Sequence, residues 1–157
     1  MKLTVVRPYR EEIRERVFST LEKAGLEIDS DRIIPPGTPD EEAIEVLESR
    51  PGDALLVPFH AQRDEEGHRT NGIELLNGLS ERVGVDALGP VIMPVSRFGA
   101  GAARLLLSPT AFSDDAPQEE LRNKILLITE EEIDEPDLPA RIRNHLLDHG
   151  GTEAGLG

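Results

Sequence analysis

The sequence predicts an α/β domain whose central sheet is parallel, five-stranded and covered by helices on both faces in a doubly wound arrangement. Five short apolar runs alternate with five longer segments in which apolar residues recur every three or four positions, and this alternation is typical of parallel α/β sheets. The short runs are apolar at consecutive residues, as strands buried on both faces are. Both observations favour one domain over residues 1–149,.

The first half of the chain is predicted to hold three strands and two helices. The strands are expected at residues 3–6, 32–34 and 54–57, and the helices at 11–24 and 40–49. Gly25 follows the first helix and is expected to end it, because glycine adopts the left-handed conformation found after many helices. Thr38 precedes Pro39 and lies three residues before Glu41, a capping-box spacing that predicts Thr38 as the cap of the second helix.

The second half is predicted to hold the remaining strands at 91–95 and 125–128 and helices at 71–83, 102–107 and 138–147. Residues 59–71 form a long polar stretch, which we interpret as an exposed recognition loop. Residues 108–124 combine Pro, Ser and Asp and are predicted to be an insertion with one helical turn at 118–122. Residues 150–157 offer nothing to bury and are predicted to be a disordered tail.

Composition excludes several classes of function. The chain of 157 residues carries 31 acidic and 17 basic side chains, a formal net charge of −14. This charge argues against nucleic-acid partners, which need a basic face, and against adsorption to anionic membranes. The sequence contains no cysteine, which excludes disulfides and thiolate zinc sites. It shows no apolar run of membrane-spanning length and no signal-peptide core, so a cytoplasmic location is expected.

Four segments, in order along the chain, resemble the receiver domains of bacterial response regulators. They are Val5-Val6 with the following EEIRERVFSTLEKAGLEI, RPGDALLV with NGIELLNGL, PVIMPVSRFGAGAA, and DLPARIRNHLLDHG. The resemblance implies a flavodoxin-like fold and a role in two-component signalling.

The resemblance also identifies where this chain departs from a working receiver. Receivers hold two acids after the first strand and an Asp at the end of the third, which bind Mg²⁺ and accept a phosphoryl group. They also hold a hydroxyl after the fourth strand and a Lys after the fifth. The corresponding positions here are Arg7, Pro8, Pro58, Ser96 and Glu131, or Glu130 if the register differs by one residue. Ile128 stands where receivers place a switch aromatic residue. We therefore interpret the chain as a pseudo-receiver with an atypical, degenerate phosphoacceptor site.

These departures favour a phosphorylation-independent signalling or scaffold protein rather than an enzyme, with no cofactor and no metal. Its expected partner is another protein or a second copy of the chain. The expected contact face is the one that receivers use, formed by the fourth helix, the fifth strand and the last helix, near Phe98, Leu138 and Ile142. The alternative is a sensor of a small anionic ligand at the carboxyl edge of the sheet. The residues expected to bind this anion are Arg7, Arg10, Arg63, Arg69 and Arg97.

Two further questions stay open at this level. The arginines at the carboxyl edge can bind an anion or pair with neighbouring acids, and in the second case Arg7 is expected to bond Glu130 or Glu131.

His145 and His149 lie four residues apart on the last helix. This spacing suits a transition metal, but favourable interaction of cationic histidines with the helix C-terminus is the simpler interpretation. A metal site at His60, Asp64, Glu65 and His68 is a weaker alternative, because their spacing matches no tight motif.

Overall fold

The computed structural model describes residues 2–8, 11–60, 62–63, 69–97, 99–108 and 117–150, with the backbone alone for 11–12, 62–63 and 69–70. In chain order the elements are β1 Leu3–Val6, α1 Glu11–Lys23, a 3₁₀ turn Ser30–Arg32, β2 Ile33–Ile34, α2 Asp40–Glu48, β3 Ala54–Leu56, β4 Gln62–Arg63, β5 Arg69–Thr70, α3 Gly72–Val83, a 3₁₀ turn Val85–Ala87, β6 Val91–Val95, α4 Ala100–Leu106, α5 Glu119–Asn123, β7 Ile125–Thr129 and α6 Leu138–Asp148.

Five strands form one sheet in the order β2-β1-β3-β6-β7, and all neighbouring pairs are parallel. This is the 2-1-3-4-5 strand order of flavodoxin-like folds, so the predicted fold class is confirmed. The order reverses between β1 and β3. Loops after these two strands therefore diverge to opposite sides of the sheet and leave a crevice at its carboxyl edge.

Consecutive strand residues enter different cores, which explains why the strand segments are apolar at every position. Leu55 and Met93 belong to the core beneath α2 and α3. Leu56 and Ile92, their immediate neighbours in sequence, belong to the core beneath α1 and α6. All four side chains are buried, so both faces of the sheet are covered, as the sequence pattern predicts.

Polar side chains hold the amino edge of the same sheet together. The Asp53 carboxylate accepts hydrogen bonds from the Thr4 hydroxyl at 3.0 Å and from the Arg32 guanidinium at 2.5 Å. Lys124 donates to the carbonyl oxygens of Val85 and Leu88, and burial lowers the pKa of its ammonium group. These bonds connect polar groups that are wholly or partly buried and would otherwise destabilise the fold.

The predicted capping role of Thr38 is wrong. Helix α2 begins at Asp40 with Pro39 as its N-cap, and no side chain caps it. The Thr38 hydroxyl donates instead to the carbonyl of Pro35 at 2.8 Å. Thr38 lies one residue too early for the cap, and its hydroxyl closes the turn before the helix.

The segment 59–71 also differs from the predicted loop, since β4 and β5 pair as a short antiparallel hairpin within it. Two-residue strands are too short to give an alternating pattern. Helix α5 confirms the helical turn expected at 118–122. Residues 109–116 of the predicted insertion and the tail from 151 onward lie outside the described residues. No helix in the described part of the chain is long and apolar enough to span a membrane.

Candidate functional site

The carboxyl edge of the sheet brings together most of the positions singled out in the sequence. Val5 pairs with Leu56, and Val95 pairs with Thr129. The residues that follow these strands therefore lie along one edge. They are Arg7 and Pro8 after β1, Pro58 and His60 after β3, Ser96 and Arg97 after β6, and Glu130 and Glu131 after β7.

Arg7 is the most constrained of these residues. Its side chain is buried, and its backbone adopts a left-handed conformation with φ of 45°, which is strained for a residue with a Cβ atom. The Arg7 N–H donates to the carbonyl of Ile34 at 2.7 Å. Its guanidinium donates to the Asp40 carboxylate at 2.8 Å and to the Thr38 carbonyl at 3.3 Å. These bonds hold the end of β1 against the start of α2.

The expected pairing of Arg7 with Glu130 or Glu131 is therefore wrong, because Asp40 takes that place. The strand order explains the difference. Strand β2 neighbours β1, so Arg7 meets the connection from β2 to α2, whereas β7 lies at the far edge, beyond β3 and β6. Glu130 accepts a bond from the Arg97 N–H at 3.3 Å, and Glu131 lies 3.8 Å from the Arg97 guanidinium.

Two buried prolines flank the crevice between β1 and β3. Pro8 and Pro58 are both buried, and neither side chain offers an oxygen to a hard cation. Helix α3 begins close to Pro58, and a Cβ atom on Gly72 would lie 2.5 Å from the Pro58 carbonyl oxygen. Within the described ranges, no group of three or more His, Asp or Glu side chains is arranged to hold a metal ion.

Ser96 and His60 form a contact that the sequence did not reveal. The Ser96 N–H donates to His60 Nε2 at 3.2 Å, which makes this nitrogen the acceptor of the ring. The Ser96 hydroxyl is buried and finds no hydrogen-bond partner among the residues described. The only signal available in the sequence was that His60 follows β3 by a few residues, as Ser96 directly follows β6.

The five arginines expected to bind an anion lie in very different environments. Arg7 is buried and bonded to Asp40, whereas the Arg97 side chain is 72% exposed. Arg63 and Arg69 are backbone partners across the β4–β5 hairpin. Their side chains, and all of Arg10, lie outside the described part of the structure. A common site for all five arginines stays a prediction.

The loop after β7 is held by Glu132, which sequence reasoning missed. Its carboxylate accepts bonds from the Thr129 N–H at 3.2 Å, the Thr129 hydroxyl at 2.8 Å and the Arg141 guanidinium at 3.0 Å. Burial would raise the pKa of Glu132, but the hydrogen bonds from Thr129 and the charge of Arg141 outweigh it, so the pKa is lowered. The bonds connect the carboxyl end of β7 to α6.

Together the strand order and this edge define an α/β protein of flavodoxin-like topology with a polar carboxyl edge and a buried arginine at its crevice. Comparison with protein-family models and comparison with curated proteins both give no match for this chain.

Proposed function

We propose that this chain is a pseudo-receiver that acts as a phosphorylation-independent signalling or scaffold protein through protein–protein contacts. The proposal joins the resemblance in sequence to receiver domains with the flavodoxin-like strand order of the sheet. Such folds carry unrelated functions, so the function is inferred from the site rather than from the fold.

The observation that carries the proposal is the ion pair between the buried Arg7 guanidinium and the partly buried Asp40 carboxylate. A receiver needs carboxylates after β1 to bind Mg²⁺, and this chain places a buried guanidinium there. A fixed cation repels a second cation, and Pro58 offers no nucleophile at the phosphoacceptor position. We therefore expect no aspartyl phosphorylation at the usual acceptor position, which Pro58 occupies here. Any signal must come from binding.

The face formed by α4, β7 and α6 is the best candidate for that binding. Strand β7 is an edge strand of the sheet, and its residues Ile125, Leu126 and Leu127 are only partly buried. Leu105 on α4 is 69% exposed and is the one large apolar side chain exposed in the described residues. An edge strand and an exposed leucine are features that proteins usually cover.

A second copy of the chain is the occupant that we propose. An isologous interface brings the same patch together twice, so a self-complementary patch must contain both signs of charge. The proposed face carries both signs: Arg97 and Arg104 are exposed just before and within α4, and Glu131 and Glu135 are exposed after β7. The net charge of −14 opposes association, but physiological salt screens charges beyond about 8 Å.

Sedimentation equilibrium at about 0.15 M salt tests this proposal. We expect a concentration-dependent dimer, a Leu105→Asn variant whose dimer is weakened at least about tenfold, and no effect of acetyl phosphate with Mg²⁺. Glu45→Gln, a change at an exposed position of α2, is the matched control and should dimerise like the wild type. A wild type that stays monomeric up to about 1 mM, or a dimer insensitive to Leu105→Asn, would exclude this interface.

The alternative, a sensor of small anions, has one specific observation in its favour. The exposed Arg97 lies next to Ser96, whose hydroxyl has no partner within the described structure. A phosphate or carboxylate oxygen could accept from both residues. Thermal-shift measurements with inorganic phosphate, nucleotides and carboxylates test it, because a ligand that binds the folded state raises the melting temperature. The Arg97→Ala variant should lose any such shift.

A further inference from the structure

Two histidines lie together at the end of α6, at the opposite edge of the sheet from the site described above. His145 and His149 are separated by one helical turn, and their ring centroids are 4.6 Å apart with the planes tilted by 52°. The closeness of the two rings was expected, because the two residues are four positions apart on a helix. The hydrogen bonding of His145 was not.

The hydrogen bonds of His145 determine which of its nitrogens is free. Nε2 lies 2.8 Å from the Lys124 carbonyl oxygen and 3.2 Å from that of Val91. Carbonyl oxygens only accept, so Nε2 carries the hydrogen, and the neutral ring keeps its lone pair on Nδ1. Histidines that bind metals are commonly fixed in this way, with one nitrogen donating to a backbone carbonyl and the other on the ion.

The simpler interpretation of this histidine, a cation at the helix C-terminus, does not fit its surroundings. Burial lowers the pKa of His145, and the neighbouring His149 lowers it further, against the opposing effects of the two carbonyls and of Asp148. Burial therefore disfavours the cationic ring that this interpretation needs.

We propose that His145 and His149 form a two-histidine site for a transition-metal ion of the Zn²⁺ class, with water completing the coordination. Two metal–nitrogen bonds of about 2.1 Å that meet at about 90° to 110° place the ring centroids about 4.5 to 5.2 Å apart, and the observed 4.6 Å falls within this range. The net charge of −14 raises the concentration of cations near the protein,.

Calorimetric titration with ZnCl₂ tests the site, because the sequence has only four histidines and no cysteine. The wild type should bind one Zn²⁺. A double variant His60→Gln/His68→Gln is the matched control and should bind equally well, since it keeps both α6 histidines. His149→Gln should bind at least about tenfold more weakly, having lost one ligand. Circular dichroism checks that each variant is folded.

Histidine NMR spectra of the wild type give a second readout that needs no variant. Zn²⁺ should shift the ring signals of His145 and His149 together, with saturation at the calorimetric stoichiometry, and Mg²⁺ should leave both unchanged because it prefers oxygen ligands. The proposal is overturned if His149→Gln binds like the wild type, if binding disappears in the double variant, or if no saturable binding occurs below about 1 mM.

Discussion

The guanidinium of Arg7 lies 2.8 Å from the carboxylate of Asp40, so the end of β1 is bonded directly to the first residue of α2. Under the proposed function, the buried Arg7 cation stands where a receiver would hold carboxylates after its first strand. The cost of burying a charge is offset only while its partner is present. The pair should therefore be sensitive to the loss of either member.

Asp40→Asn should lower the free energy of unfolding by about 2 to 4 kcal/mol, because it removes the charged carboxylate that lies 2.8 Å from the buried Arg7 guanidinium,. The carboxylate of Asp40 is 26% exposed, so the lower part of this range is expected. Glu48→Gln is the matched control on the same helix. It removes an ion pair to Arg82 whose side chains are 36% and 43% exposed, and should cost less than about 1 kcal/mol. Urea denaturation measures both values, and equal costs would contradict the account.

Gly72→Ala tests the close approach of α3 to the end of β3. The added methyl group would lie 2.5 Å from the Pro58 carbonyl oxygen, so the helix must shift, and stability should fall by about 1 to 3 kcal/mol. Gly101→Ala, on α4, is the control because its Cβ atom would meet open space. There the change should stabilise the protein by up to about 1 kcal/mol, since alanine favours helix more than glycine does. The contact would be refuted if both changes stabilised the protein in thermal denaturation.

The hydrogen bonds to Glu132 predict a specific dependence of stability on pH. Its pKa is lowered in the folded protein from an ordinary value of 4.5, so the unfolded chain binds a proton more readily than the folded one. The stabilisation is therefore fully present above pH 4.5 and is lost as the pH falls through the lower, folded value. Wild type should exceed Glu132→Gln in stability at pH 7, and the difference should narrow below pH 4.5.

Glu135→Gln is the control for this measurement, because the Glu135 side chain is 51% exposed and lies 3.6 Å from Arg141. Its effect at pH 7 should be less than about 1 kcal/mol, as is usual for an exposed ion pair. Urea denaturation of the three proteins at several pH values gives the comparison. If the free energies of unfolding of wild type and Glu132→Gln differed by the same amount at all these pH values, the bonds from Thr129 and Arg141 would contribute no charge-dependent stabilisation.

The sequence was sufficient to predict the fold class and the strands of the main sheet, because consecutive apolar residues and helical spacing report local burial directly. It was not sufficient to predict the partner of Arg7. That partner depends on which strand neighbours β1, and strand order is a property of the whole sheet. Strands β4 and β5 have two residues each, too few for a pattern. The contact of Ser96 with His60 joins residues 36 positions apart and has no local signal.

Intact-mass spectrometry after incubation with acetyl phosphate and Mg²⁺ tests the central claim most directly. The buried Arg7 guanidinium and the proline at position 58 predict that the mass stays unchanged, while a conventional receiver treated alongside gains a phosphoryl group. The measurement should be made within minutes at neutral pH, so that a labile acyl phosphate survives. A gain of one phosphoryl group that maps to the carboxyl edge would contradict the account.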